Sequence, residues 1–143
     1  MQNLLVILTL FFSSAIMAQT QEDKKRSNNQ TIKVSVVNAL SDNGTVEFAF
    51  YNEEGFMKEP LFTKSATVKN GISTVIFENI IEGEYAVICY HDENSNHQMD
   101  FQENGMPKEN YGTSNNAMNY GPPQFESSKF MVKNEGLNLE IKF

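Results

Sequence analysis

The segment 92–103 carries oxygen-bearing side chains at a spacing that suits a hard cation. Counted from the first of them, they occupy positions one, three, five, nine and twelve: Asp92, Asn94, Asn96, Asp100 and Glu103. This is the ligand spacing of the twelve-residue calcium loop of EF-hands, in which position seven supplies a backbone carbonyl, here that of Gln98. The sequence therefore predicts that these five side chains and the Gln98 carbonyl bind one Ca²⁺.

Two features separate this segment from an ordinary EF-hand loop. Position six is usually Gly because the loop needs a positive φ there, and this chain has His97, a residue type enriched among the non-glycine residues that adopt positive φ. A predicted strand, not a helix, enters the loop. With three carboxylates we expect weak affinity, on the order of 0.1–1 mM, and we expect Met99 to point into the core and anchor the loop.

Other interpretations of the same residues compete with calcium. Asp and Asn favour turns through their own side-chain hydrogen bonds, so the segment also fits a polar loop without a ligand. A zinc site formed by His91, His97 and Cys89 would be a poor ligand set, because the chain lacks CxxC and HExxH spacing. The chain has no Gly-x-Ser-x-Gly elbow, and no catalytic arrangement stands out.

A second segment, 111–125, combines aromatic, amide and glycine residues. Such a composition favours a structured loop that packs its own tyrosines onto the end of the domain, since long loops are often, but not always, functional. The alternative is a carbohydrate or peptide surface.

Alternating apolar residues and turn signals dominate the chain from residue 31 onward. Asn43-Gly44 and Asn70-Gly71 predict hairpin turns, because both residue types tolerate positive φ. The run 85–90 is apolar on both faces, which predicts a central strand. About seven short strands without sustained helical periodicity predict an all-β fold, a single antiparallel sandwich of the Ig-like kind.

The first 18 residues predict a cleaved signal peptide, with an apolar stretch followed by small residues up to Ala18. Residues 19–30 are polar and predict a flexible tether, which leaves 31–143 as one domain. The apolar run is too short for a good membrane span, so we expect no transmembrane segment in the mature chain. These features predict a periplasmic or secreted protein.

Charge and composition limit the classes of partner that the protein is expected to bind. The net charge of −7 argues against a nucleic-acid partner, since phosphate binding needs clustered Lys and Arg. The single cysteine, Cys89, excludes an intramolecular disulfide and lies in an apolar run, where burial is expected. We therefore expect a non-catalytic binding or accessory module whose partner is an envelope protein or a glycan. The alternatives are a cell-envelope enzyme with its site between 92–103 and 111–125, and a structural envelope protein.

An ordered string of short motifs gives the chain a family resemblance. These are GEYAV at 83–87, HDENSN at 91–96, MPKE at 106–109, YG at 111–112, SNN at 114–116 and GPP at 121–123, followed by Phe125. The string resembles the DUF2141 family of bacterial proteins. The resemblance implies export, a sandwich similar to transthyretin-like (prealbumin) or carboxypeptidase-regulatory-like modules, and no established activity. Where members usually carry Gly in the acidic loop, this chain has His97.

Overall fold

The computed structural model describes residues 29–118 and 120–143, so the predicted signal peptide and most of the predicted tether lie outside the described residues. The strands are β1 (Gln30–Val36), β2 (Thr45–Tyr51), β3 (Phe62–Thr67), β4 (Ser73–Ile80), β5 (Gly83–Asp92), β6 (Tyr111–Thr113), β7 (Phe130–Val132) and β8 (Leu137–Ile141). A 3₁₀ turn spans Ser114–Asn116, and α1 is one helical turn, Phe125–Ser128. In these described ranges no helix is long and apolar enough to cross a membrane.

The strands form two sheets, which confirms the predicted all-β class. One sheet has the order β4-β1-β8, and the other has the order β3-β2-β5-β6, with β7 pairing the start of β5. Every strand pair is antiparallel except β1 with β8, which run parallel. The final strand, β8, lies in the sheet of β1, whereas β7, which precedes it, pairs with β5 in the other sheet.

Side-chain alternation builds the core between the sheets. The inward residues of β1 are fully buried, and so are Val46, Phe48 and Phe50 of β2. The Phe50 ring lies 5.0 Å from the Phe77 ring, centroid to centroid, and so links the two sheets. β5 pairs with β2, β6 and β7, and its residues Ala86, Val87 and Cys89 are fully buried, which confirms that the 85–90 run is central.

The predicted hairpin at Asn43-Gly44 is wrong, because β1 and β2 belong to different sheets. The chain crosses between the sheets here, and its contacts are to distant segments. The Asp42 carboxylate accepts the backbone N–H groups of Asn70 and Gly71 at 2.8 and 2.9 Å. Gly44 adopts φ 66°, and a Cβ there would collide with the Asp92 carbonyl oxygen. The predicted positive φ is present at Gly44, but it occurs in a connection between the two sheets and not in a hairpin.

The predicted turn at Asn70-Gly71 forms, although its flanking strands separate. Lys69 and Ile72 make a two-way backbone bridge, with N–H···O distances of 2.8 and 3.1 Å. Asn70 and Gly71 both have positive φ, 53° and 74°. Beyond the bridge β3 joins β2 while β4 joins β1, so the hairpin is limited to the turn.

Candidate metal centre

Strand β5 ends in a buried carboxylate. Asp92 is fully buried and pairs with Thr45 on the neighbouring strand β2. Its Oδ1 accepts the Asn96 N–H at 3.1 Å and its Oδ2 accepts the His97 N–H at 2.8 Å. The chain therefore curls around the Asp92 carboxylate as it leaves the strand.

Three further predicted ligands converge on this turn. Asn94 Oδ1 accepts the same Asn96 N–H as Asp92 does, also at 3.1 Å. The amide nitrogens of Asn94 and Asn96 both donate to Asp100 Oδ2, at 2.7 and 3.0 Å. The structure thus brings together Asp92, Asn94, Asn96 and Asp100, four of the six predicted ligand residues.

His97 adopts the backbone conformation expected at position six of the loop. Its φ is 59°, in the left-handed region. Its Nδ1 lies 3.2 Å from Glu47 Oε1 on β2 and 3.9 Å from Asp92 Oδ2. Glu47, Asp92 and His97 place ligand-type atoms within 4.8 Å of one another, a group formed within the residues the structure describes. Sequence reasoning missed Glu47, because it lies on another strand.

The remaining two predicted ligands differ in position. Gln98 stays in the turn, where its N–H donates to Asn96 Oδ1 at 2.9 Å. Glu103 is exposed and lines an open depression with Gln102 and Asn104. Glu103 does not join the other four residues because residues 100–108 form a small hairpin: Lys108 N donates to the Asp100 carbonyl at 2.8 Å and Gln102 N to that of Met106 at 2.7 Å. The chain therefore turns away before position twelve of the loop.

Met99 does not anchor the loop in the core as expected. It is half-buried and lies outside the cluster of core residues and their partly buried apolar neighbours. Hydrogen bonds to Asp92 hold the turn instead.

Glu109 is a second residue that the linear motif did not reveal. Tyr111 pairs with Tyr90, and the His91 N–H donates to the Asn110 carbonyl at 2.9 Å, so the chain before β6 continues along β5 toward Asp92. Glu109 Oε2 accepts the Asp100 N–H at 3.1 Å. Its other oxygen, Oε1, is buried and has no hydrogen-bond partner among the described residues. Burial raises the pKa of the Glu109 carboxyl, and the nearby charges of Asp92 and Asp100 raise it further.

The pKa of Tyr90 is raised by burial and by the negative charge of this region. Burial raises the pKa of its phenol to about 12, and the carboxylates of Glu47, Asp92, Glu109 and Asp100 contribute to that rise. In the described part of the chain, none of these four carboxylates forms an ion pair with Lys or Arg. The region is therefore a negative site whose charge a cation would compensate.

The residues considered as zinc ligands, Cys89, His91 and His97, do not come together in one site. Cys89 and His91 alternate with Tyr90 and Asp92 along β5, so they face the opposite side of the sheet. His91 is buried with Nε2 2.7 Å from the Asn43 carbonyl, and its ring stacks on Phe143. Burial raises the pKa of the Cys89 thiol.

The segment 111–125 is mainly a structural tie. Ser114 is buried, and its Oγ accepts the Val87 N–H at 3.0 Å and donates to the Ser128 carbonyl. Asn116 donates to the Glu140 carbonyl at 2.9 Å and accepts the Lys142 N–H at 2.7 Å. These contacts join β6 to the opposite sheet.

Beyond the tie the chain presents an apolar tip. Met118 is 94% exposed and Tyr120 is fully exposed. Tyr120 therefore does not pack onto the sandwich, and the Met118 and Tyr120 side chains lie open to solvent.

Comparison with known proteins identifies the family. A family model described as "Uncharacterized protein conserved in bacteria (DUF2141)" matches residues 34–140. No curated protein matches the chain. Among solved structures, the chain is similar to "Pilus-presented adhesin, Spy0125 (Cpa), Cys426Ala mutant", with 12% identity and a TM-score of 0.24. That match covers 80% of this chain and 26% of the adhesin chain. The family match spans the sandwich from β1 to β8 and includes the whole 92–109 region, so the chain belongs to the DUF2141 family.

Proposed function

We propose that this chain is an exported, non-catalytic β-sandwich module that binds Ca²⁺ weakly at the end of its central strand. The observation that carries the proposal is the convergence of Asp92, Asn94, Asn96 and Asp100 in one turn. Ion binding would order residues 92–109 beside the sheet.

The hydrogen bonds within the turn leave oxygen lone pairs free for a cation. Carboxylate and amide oxygens each have two acceptor sites. Asp92 Oδ1 and Asn94 Oδ1 share one N–H, and Asn96 Oδ1 accepts the Gln98 N–H at 2.9 Å, so each oxygen keeps one site. The backbone thus holds the three oxygens in place before an ion arrives, which lowers the ordering cost of binding.

Ligand chemistry favours calcium over other divalent ions. Asp92, Asn94, Asn96 and Asp100 each carry a side-chain oxygen, and oxygen ligands suit hard cations. Calcium tolerates irregular shells of six to eight oxygens, whereas magnesium demands near-ideal octahedral geometry. The turn combines carboxylates and amides with an exposed rim that is open to water ligands. Such an irregular set of oxygens suits calcium better than magnesium.

Isothermal titration tests the proposal. The purified chain should bind one Ca²⁺ with an affinity on the order of 0.1–1 mM, and binding of Mg²⁺ should be weaker. The variant Asp92→Asn/Asp100→Asn keeps hydrogen-bonding side chains but removes two charges, and it should lose the calcium heat. Equal binding by wild type and variant would refute this site.

Export is the second part of the proposal and is supported by the apolar stretch that ends in Ala18. Mass spectrometry of the periplasmic and secreted fractions should find a chain that begins at Gln19. An intact Met1 in the cytoplasmic fraction would refute export.

The binding role is supported by the exposed tip at Met118 and Tyr120. Tyrosine combines a large contact area with a polar group, which suits recognition of glycans and proteins. A glycan array probed with wild type and Tyr120→Ser should show a signal that the variant loses. A signal that survives the substitution would place the binding surface elsewhere.

A further inference from the structure

We propose that Asn43 is a site of spontaneous covalent modification, at which the Gly44 nitrogen attacks the Asn43 side-chain amide. The inference goes beyond the proposed function and does not depend on the calcium site. Asparagine is a thermolabile residue type, and a following glycine leaves the attacking nitrogen accessible because it has no side chain. The product carries a new carboxylate in the connection between the two sheets.

The reaction is a cyclisation followed by hydrolysis. The Gly44 N–H gives up its proton, the nitrogen forms a bond to Asn43 Cγ, and the Cγ–Nδ2 bond breaks, so that ammonia leaves with that proton. Water then opens the succinimide ring at one of its two carbonyls. The product is aspartate, or isoaspartate, in which the main chain runs through the former side chain. Water is the only co-reactant, and nothing is oxidised or reduced.

The chain offers an internal comparison, because it contains three Asn-Gly pairs, at 43–44, 70–71 and 104–105. All three asparagines are exposed, and the three glycines have positive φ of 66°, 74° and 82°. Dipeptide and glycine conformation therefore do not distinguish the pairs. The hydrogen bonds on the reacting groups do.

At the second pair, a carboxylate holds the nucleophile. The Gly71 N–H donates to Asp42 Oδ1 at 2.9 Å, and the Asn70 N–H donates to Oδ2 at 2.8 Å. These two bonds lower the pKa of Asp42, so its carboxylate is charged at neutral pH. Loss of the Gly71 proton would place two negative groups in contact, which disfavours attack at Asn70.

At the third pair, both reacting groups are engaged. The Gly105 N–H donates to the Gln102 carbonyl at 2.8 Å. The Asn104 side-chain oxygen accepts the Met106 N–H at 3.0 Å. Both bonds belong to the turn of the hairpin, and they must break before Gly105 can reach the Asn104 amide.

At the first pair, neither reacting group is held. Within residues 29–118 and 120–143, the Gly44 N–H and the Asn43 side-chain amide have no hydrogen-bond partner. The Asn43 carbonyl oxygen lies 2.7 Å from Nε2 of the buried His91, and the imidazole is the donor because a carbonyl only accepts. This bond polarises the Asn43–Gly44 peptide group, so the Gly44 proton is easier to remove.

The modification would act on the end of β5. Gly44 lies so close to this strand that a Cβ would collide with the Asp92 carbonyl oxygen and approach Glu93 Cα to 2.8 Å. Isoaspartate lengthens the main chain immediately before this contact, and either product adds a negative charge near Glu93. Amide hydrogens at the end of β5 should therefore exchange faster in the modified protein.

Ageing of the purified full chain in warm, mildly alkaline buffer tests the proposal, with peptide mapping by mass spectrometry at the three asparagines. Asn43 should convert at least roughly tenfold faster than Asn70 and Asn104, the ratio that a barrier difference of about 1.4 kcal/mol produces. In concentrated urea the three rates should become similar, because the hydrogen bonds that separate them are lost. An intact Asn43, or equal rates at the three positions in the folded protein, would overturn the inference.

Two substitutions test the cause of the difference. Asp42→Ser removes the carboxylate, so Asn70 should convert faster while Asn104, the matched control, stays slow. His91→Phe keeps a buried ring but removes the N–H, so Asn43 should convert more slowly in the folded protein and at the wild-type rate in urea. If Asn70 stays slow in the first variant, or Asn43 stays fast in the second, hydrogen bonding does not select Asn43 and the inference fails. The wild-type comparison of folded and unfolded rates requires neither variant to fold.

Discussion

The His97 imidazole lies 3.2 Å, Nδ1 to Oε1, from the Glu47 carboxylate on strand β2. This contact ties the sixth position of the loop to the neighbouring strand. Glycine would adopt the left-handed conformation at this position without strain, whereas His97 adopts it with φ 59°. The bond to Glu47 offsets part of that strain, so the backbone and the side chain of His97 act in opposite directions.

Substitutions at His97 separate these two effects. His97→Ala keeps the strained φ and loses the Glu47 contact, while His97→Gly loses the contact but relieves the backbone. We expect His97→Gly to be more stable than His97→Ala by about 1 kcal/mol in urea unfolding. His97→Gly should also bind calcium more tightly than wild type in titration. If the two variants have equal stability, backbone strain is not a factor at this position.

Asn116 should be important for stability and irrelevant to calcium. Asn116→Asp removes the donor to the Glu140 carbonyl and places a carboxylate oxygen against it. We expect a loss of about 1–3 kcal/mol in the free energy of unfolding. Asn138→Asp, an exposed change on β8, is the matched control and should stay within about 0.5 kcal/mol. An equal loss in both variants would show that added charge, not the tie, is responsible.

The buried Cys89 thiol should lower the free energy of unfolding as the pH becomes alkaline. Burial raises the pKa of its thiol above the ordinary value of 9.0, so only the unfolded chain releases this proton readily. The contribution is present in full below pH 9.0 and is lost as the pH rises above it, by up to about 1.4 kcal/mol per pH unit.

Urea unfolding between neutral and alkaline pH tests this effect. Cys89→Ala should be less stable at neutral pH because it loses buried contacts, but its stability should fall less steeply above pH 9.0. The native thiol should also resist alkylation until denaturant is added. Parallel pH curves for the two proteins would contradict the assignment.

Local patterns predicted the elements of the fold better than their pairing. Alternation correctly indicated the buried faces of β1 and β2, because burial of apolar side chains follows a period of two in strands. Asn43-Gly44 indicated a turn, but its partners are remote: the Asn43 carbonyl contacts His91 and Asp42 caps the Asn70-Gly71 turn. A local turn pattern carries no information about such distant contacts.

The candidate site shows the same limit. The motif placed Asp92, Asn94, Asn96 and Asp100 together, since a tight turn gathers alternate residues. Spacing alone predicted Glu103 as a ligand, but the hairpin of residues 100–108 places it away from the other four residues. Glu47 lies on the neighbouring strand β2 and Glu109 on the segment that leads into β6, so only the three-dimensional pairing of the chain reveals them. A carboxylate in the strand next to a loop motif is the feature to look for in related sequences.

Thermal melting tests the central claim most directly. Wild type and Asp92→Asn/Asp100→Asn are melted in EDTA and in about 2 mM CaCl₂, where a Kd of about 0.2 mM would contribute roughly 1.4 kcal/mol. Calcium should raise the melting temperature of the wild type by a few degrees and leave that of the double variant unchanged. If calcium shifts neither protein, or shifts both equally, the loop at the end of β5 is a polar turn and not a calcium site.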